Sequence, residues 1–187
     1  MHGTRSSHLH FWLLLVLWVL PAATLSARTA LRDPDTYFFN TGFGDFQQEL
    51  ATAREEGKDG IMLFFEQADC PFCHRMRETV LNRPRVQDYF RRHFRLFTVD
   101  IDGDILIRDF QGREISEKDF AFRRYRVRAT PVILFFDLQG KPVVRYTGAT
   151  SGVDEFLWLG EYVAQKLYRK MPFTRYKRAR RHAARPR

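Results

Sequence analysis

Two cysteines three residues apart, Cys70 and Cys73, are the only thiols of this 187-residue chain. They close the run Leu63-Phe64-Phe65-Glu66-Gln67-Ala68-Asp69-Cys70-Pro71-Phe72-Cys73. A thiolate is a nucleophile, and two thiols at this spacing can exchange two electrons by opening and closing a disulfide. Cys70 is then the exposed attacking thiol and Cys73 the resolving one. As a structural staple the pair is poorly chosen, because a bridge across so small a loop removes little chain entropy. As half of a zinc site it lacks a second Cys pair, and histidines would have to complete it. Cys70-Pro71-Phe72-Cys73-His74 also spells Cys-x-x-Cys-His, the pattern of c-type haem attachment. In that reading His74 is an axial ligand, with Met76 or Met171 as the second.

The flanking sequence says what must hold the pair. Ile61 to Gln67 is an apolar strand, and Met76, Val80 and Leu81 fall on one face of a helix running from Cys70 to about Leu81. Free N–H groups at a helix start stabilise negative charge, so a cysteine there has a lowered pKa. Pro71 suits the first turn, where a missing N–H costs little.

Other elements follow in order. Phe43, Phe46, Leu50 and Ala53 mark a helix ended by Gly57 to Gly60. Asn82 and Pro84 break and restart the chain, and Val86, Tyr89 and Phe90 give the next helix its stripe. Phe94 to Ile101 is a strand. Ile105 to Phe110 and Arg113 to Ile115 form a small hairpin around Gln111-Gly112. Glu117 to Tyr125 is helical, with Ser116 as its cap. Pro131 to Asp137 and Val143 to Thr147 are strands joined by Gln139-Gly140. Ser151 opens a last helix with Phe156, Leu159, Val163 and Leu167 at helical spacing.

The chain suits one domain plus extensions, and 18 Phe in a composition that is 44% hydrophobic supply a substantial core. The net charge of +9 is not spread over that domain. Residues 28–165 hold 20 Lys or Arg against 22 Asp or Glu, whereas ten Lys or Arg and no acid follow from Lys166 onward. Residues 169–187 read as a basic, solvated and disordered tail. An anionic membrane surface is the partner such a tail suits; nucleic acid is not expected for an exported protein. Export is the expectation because residues 1–27 resemble a signal peptide: Arg5, an apolar run from Phe11 to Leu20, Pro21, then the small-residue stretch from Ala22 to Ala27. The apolar run is about half of the ~20 residues a spanning helix needs. Cleavage near Ser26 or Ala27 is expected, with an uncleaved anchor as the alternative. Residues 28–42 form an N-terminal arm, which Tyr37-Phe38-Phe39 dock onto a domain spanning 43–168.

Taken together, a strand, Cys-x-x-Cys at a helix start, Thr130-Pro131 before a strand, a hairpin and a last helix resemble the thioredoxin fold. The sequence is most similar to the periplasmic thioredoxin-like proteins called SoxW-like. The stretches that carry the resemblance are Glu66-Gln67-Ala68-Asp69-Cys70-Pro71-Phe72-Cys73-His74, Val127-Arg128-Ala129-Thr130-Pro131 and Tyr146-Thr147-Gly148-Ala149-Thr150-Ser151-Gly152. The resemblance implies an α/β fold, a central mixed sheet flanked by helices, with the hairpin as a small insertion. It gives Cys70 the nucleophile role and Cys73 the resolving role. It makes Pro131 a cis-proline beside the thiols, in a groove where a substrate strand pairs with the Thr130 backbone.

The departures from ordinary thioredoxins are specific. Asp69 stands where they have Trp, and Pro71-Phe72 where they have Gly-Pro; the Pro-Phe pair resembles glutaredoxins. Their buried Asp aligns with Phe64, which leaves Glu66 as the nearest substitute proton acceptor. His74 lies outside the Cys pair and either tunes the thiolate as His⁺ or covers the helix surface.

The expectation is thus an exported, periplasmic thiol:disulfide oxidoreductase without a cofactor, a reductase rather than an oxidase. Its partners are disulfide-containing proteins and, as the resemblance implies, a membrane electron donor of the DsbD or CcdA type. The alternatives are a c-type haem electron carrier through Cys70, Cys73 and His74, and a non-catalytic binding module using the groove near Pro131.

Overall fold

The structure is a computed structural model that describes His2, residues 30–42 and residues 44–184. The expected signal peptide, residues 1–27, lies outside the described residues apart from His2, as does Phe43.

The apolar run after Gly60 becomes β1 (Gly60–Glu66), buried from Gly60 through Phe65. It is one of the two inner strands of a four-stranded sheet ordered β2-β1-β5-β6. β2 (Phe94–Asp100) runs parallel to β1, while β5 (Val132–Phe136) and β6 (Pro142–Thr147) continue the sheet antiparallel. Alternation along the strands divides the core in two. Met62, Phe64, Leu96, Ile133 and Phe135 face one side; Ile61, Leu63, Phe65, Val99 and Leu134 face the other.

The first side is covered by α3 (Pro71–Met76), α4 (Pro84–His93) and α6 (Val153–Ala164). Here Phe90 stacks on Phe156 at 4.2 Å. The second side is covered by α2 (Phe46–Glu55), the hairpin β3 (Leu106–Arg108) and β4 (Glu114–Ser116), and Phe120 and Ala121, which follow α5 (Glu117–Asp119). The expected α/β thioredoxin-like fold with a small hairpin is therefore the fold found. The Ser116 hydroxyl accepts from the Asp119 amide, as a cap should.

Local departures have identifiable causes. The helix expected from Cys70 to Leu81 is α-helical only to Met76; Arg77–Leu81 form a π-helical turn. A second π-helical turn, Phe120–Arg124, follows α5. α6 ends at Ala164 because Lys166 takes left-handed backbone geometry, so Leu167 falls in a following 3₁₀ turn. The cap position of α6 is Gly152, not Ser151. Ser151 instead donates its hydroxyl to Glu155.

The N-terminal segment packs on the sheet and its helices through two of its three aromatics. α1 (Pro34–Tyr37) is capped by the Asp33 carboxylate. Phe38 and Phe39 enter the core and pack on Phe90 and Phe64, while Tyr37 stays exposed. Asn40 then exchanges hydrogen bonds with Leu96 on β2.

The C-terminal segment corrects the expectation of a disordered tail. Phe173–Ala183 form a helix, α7, that packs on α6. Phe173 and Tyr176 lie against Tyr162, and the Tyr162 hydroxyl donates to the Met171 carbonyl. Lys177 and Arg181 pair with Glu155, and Arg180 pairs with Glu161. A run of cations reads as solvated when its counter-charges lie in another helix. No helix among the described residues is long and apolar enough to cross a membrane.

Candidate active site

β1 delivers the chain to the turn Gln67–Asp69, and Cys70 follows as the N-cap of α3 with extended backbone. The Cys73 amide donates to Cys70 Sγ at 3.0 Å, and the His74 amide donates to the Cys70 carbonyl. Pro71 occupies the first helical turn, as its missing N–H predicts. Cys70 and Cys73 are joined in a disulfide. The Cys73 amide is placed to donate to a Cys70 thiolate once the disulfide is reduced.

Contrary to the expected exposed nucleophile, Cys70 is only 3% exposed and Cys73 1%. The start of α3 packs into the core with Phe64 and Met76, so both sulfurs lie at its margin. Phe72 is the open neighbour, at 57%.

The other predicted residues gather around this turn. His74 is exposed, and its Nε2–H donates to the Ala68 carbonyl at 2.9 Å. A carbonyl only accepts, so the proton sits on Nε2 and the ring fastens the turn. Glu66 and Cys73 line one cavity of about 280 Å³, with Gln67, Ala68, Arg77 and Asp100. Both Glu66 oxygens accept from Arg77, at 2.9 and 2.6 Å. Arg77 also donates to Asp35 of the arm at 2.7 Å, and its guanidinium lies 5.0 Å over the Phe39 ring. Burial opposes the Arg77 charge, but the hydrogen bonds to Glu66 and Asp35 outweigh it and hold its pKa above the ordinary value. Phe64, where thioredoxins carry Asp, is fully buried.

The pairing of Phe65 with Val132 brings the β1 exit and the β5 entrance to one edge of the sheet. There the Thr130–Pro131 peptide is cis. The Thr130 hydroxyl donates to Gln67 Oε1 at 3.2 Å, and the Gly148 amide donates to the Pro131 carbonyl at 2.9 Å. Three turns, 67–70, 130–131 and 148, thus meet at the disulfide's edge. Among the described residues neither the amide nor the carbonyl of Thr130 has a backbone partner. Those groups are free to pair with an added strand.

Haem chemistry does not fit these residues. A macrocycle attached through both sulfurs needs them accessible, yet they are buried at the core margin. His74 Nε2 is engaged by Ala68, Met76 is 1% exposed, and Met171 lies at the α6–α7 junction.

Sequence reasoning missed Arg77, Asp35 and Gln67 as parts of the site. Gln67 sits three residues before Cys70 on the turn and was legible as such. The Arg77 contacts bridge the arm to the β1 exit, and nothing in the local spacing signals them.

Comparison with known proteins agrees with this geometry. Residues 46–164, more than half of the chain, match the family model described as a thioredoxin-like domain. The chain belongs to this family. No curated protein matches the chain. Among solved structures, it is similar to a thioredoxin-fold protein from Helicobacter pylori, with 22% identity and TM-score 0.56 over 68% of this chain and 88% of that one. A thioredoxin from Thermus thermophilus is 27% identical with TM-score 0.52, over 65% of this chain and 85% of that one. A putative disulphide-isomerase from Bacteroides thetaiotaomicron is 24% identical with TM-score 0.50, over 72% and 98%. The fold, the family and the Cys70–Cys73 redox pair together are consistent with thiol–disulfide oxidoreductase activity.

Proposed function

We propose that the chain is an exported disulfide reductase of the periplasm, within the SoxW-like group of thioredoxin-like proteins. The observation that carries the chemistry is the Cys70–Cys73 disulfide at the β1–α3 junction, with the Cys73 amide on Cys70 Sγ and the Thr130 backbone unpaired beside it. In the reduced protein the Cys70 thiolate attacks one sulfur of a substrate disulfide. A mixed disulfide forms, and the first substrate thiolate leaves and takes up a proton. Cys73 passes its proton to the Glu66 carboxylate, which lines the same cavity, and attacks Cys70 Sγ. The second substrate thiolate leaves as the intramolecular disulfide closes. The substrate gains two electrons and two protons, and the dithiol loses them.

Export is supported by the signal-like sequence of residues 1–27. A reductase in an oxidising compartment needs electrons from across the membrane, which suits a donor of the DsbD or CcdA type. The substrates are proteins with accessible disulfides. The outward cations of α7, such as Arg175 and Arg178, suit contact with an anionic membrane surface.

The test is the reduction potential of the purified protein, by equilibration in thiol redox buffers with thiol trapping. A value near roughly −270 mV supports the reductase reading, and one near roughly −120 mV overturns it in favour of a disulfide donor. Absence of a reversible two-electron couple overturns the redox reading itself.

A further inference from the structure

Beside the Thr130–Pro131 turn lies a basic surface with no internal counter-charge. Arg126 and Arg128 stand on the segment leading into Pro131, and Arg145 is on β6, the edge strand. All three are exposed, and among the described residues none has a carboxylate within salt-bridge distance. Their neighbours Arg123 and Arg124 do have one, in Asp119 and Asp109. Arg145 donates to the Tyr125 carbonyl, which holds β6 to this segment. The Arg128 guanidinium lies 5.2 Å over the ring of Phe122, itself 50% exposed on the π-helical turn.

The backbone adds a second indication. Arg126 has φ 51°, and the Arg126 and Val127 amides close the π-helical turn on the Phe122 and Ala121 carbonyls. Glycine or asparagine is the residue favoured in that conformation. An arginine there adds backbone cost, so the side chain rather than the backbone accounts for its presence.

We infer that this surface selects the substrate: the chain acts preferentially on disulfides borne on acidic, extended protein segments. The inference rests on the oxidoreductase reading. A segment pairing with the free Thr130 amide and carbonyl runs alongside the stretch that precedes β5 and carries its flanking side chains past Arg128 and Arg126. Guanidinium groups bind carboxylates with paired hydrogen bonds, and Phe122 holds Arg128 flat for that purpose. Phe72 offers an apolar contact at the Cys70 turn.

The test compares two disulfide-linked peptides of equal length, one with Glu at the positions flanking the cystine and one with Gln. Rates are measured with the reduced full-length protein, and a small neutral disulfide serves as a reference. The expected result is a roughly tenfold preference for the Glu peptide at low ionic strength, lost in 1 M salt. The preference disappears in R126Q/R128Q and is reduced but not lost in R126K/R128K, which keeps the charge without the paired hydrogen bonds. Equal rates for the two peptides in the wild-type protein, or a preference unchanged in R126Q/R128Q, overturn the proposal while leaving the oxidoreductase reading intact. Failure of the neutral disulfide to react overturns that reading, and this proposal with it.

Discussion

Glu155→Gln should release the C-terminal helix. Glu155 is 3% exposed and receives four groups: the Lys177 ammonium at 2.9 Å, the Arg181 guanidinium at 2.9 Å, and the Tyr146 and Ser151 hydroxyls. Burial works against the carboxylate, but the hydrogen bonds from Lys177, Ser151 and Tyr146 outweigh it and bring its pKa down from 4.5 to about 2. At roughly 1.4 kcal/mol per unit, that depression corresponds to about 3 kcal/mol. Solvent screens part of it, since the Lys177 and Arg181 side chains are 24% and 53% exposed. About 2 kcal/mol is then the contribution of the charge. Glutamine keeps the two hydroxyl contacts and loses the two ion pairs, and the freed cations can turn to water.

α7 carries five tryptic sites and no acid, so trypsin reads its detachment directly. With opening fast relative to cleavage, 2 kcal/mol predicts roughly thirtyfold faster nicking of α7 in Glu155→Gln at pH 7. The wild-type protein should show a matching acid sensitivity. Because the folded pKa is depressed, the stabilisation is complete above about pH 5 and is lost as pH falls toward 2. Urea unfolding between pH 5 and pH 2.5 should steepen this loss in the wild type relative to Glu155→Gln. Equal nicking rates and parallel pH profiles in the two proteins would refute the carboxylate latch.

Three further outcomes test the site and its supports. Cys70→Ser should abolish disulfide exchange, whereas Cys73→Ser should accumulate the mixed disulfide, seen by non-reducing electrophoresis; exchange surviving in Cys70→Ser would remove Cys70 as the nucleophile. Glu66→Gln should slow closure of the intramolecular disulfide at least about tenfold, followed by acid quench of the mixed disulfide, with attack by Cys70 less affected; an unchanged closure rate would remove Glu66 as proton acceptor. Phe38→Ala deletes a fully buried ring packed on Phe39, Phe90 and Phe156, and should cost about 3–5 kcal/mol in urea unfolding; a loss under about 1 kcal/mol would mean that the arm is not part of the core.

The fold was legible where local sequence and tertiary structure agree. The run Ile61–Phe65 is apolar at every position because β1 is covered on both faces, and Pro71 marks the helix that begins at Cys70. Gly112, at φ +77°, turns the hairpin where Gln111-Gly112 suggested. The π-helical turns were not legible, because one extra residue per turn leaves the apolar spacing nearly helical. The ion pairs were not legible either. Arg77 joins Glu66 to Asp35 across 11 and 42 positions, and Lys177 and Arg181 reach Glu155 across 22 and 26. Composition counted the C-terminal cations but not the carboxylates that the fold brings to them. The near burial of Cys70 also follows from packing at the α3 start, which no residue pattern reports.

These long-range pairs have a common geometry. The family match covers residues 46–164, and the arm and α7 lie outside it. Each is held by a carboxylate of the matched part: Glu66 acts through Arg77 on Asp35, and Glu155 acts on Lys177 and Arg181. Both extensions add aromatics to the same core, Phe38 and Phe39 from one side and Phe173 and Tyr176 from the other. That core includes the two cysteines. The arm attachment has a chemical consequence that the α7 attachment lacks, because Arg77 and Glu66 line the cavity beside Cys73. Arg77 divides its donors between the arm and Glu66. Docking of the arm therefore fixes the guanidinium from which both Glu66 oxygens accept. Where thioredoxins bury an Asp this chain has Phe64, and the Glu66 carboxylate in the cavity beside Cys73 is held by a guanidinium whose position depends on a segment outside the shared fold.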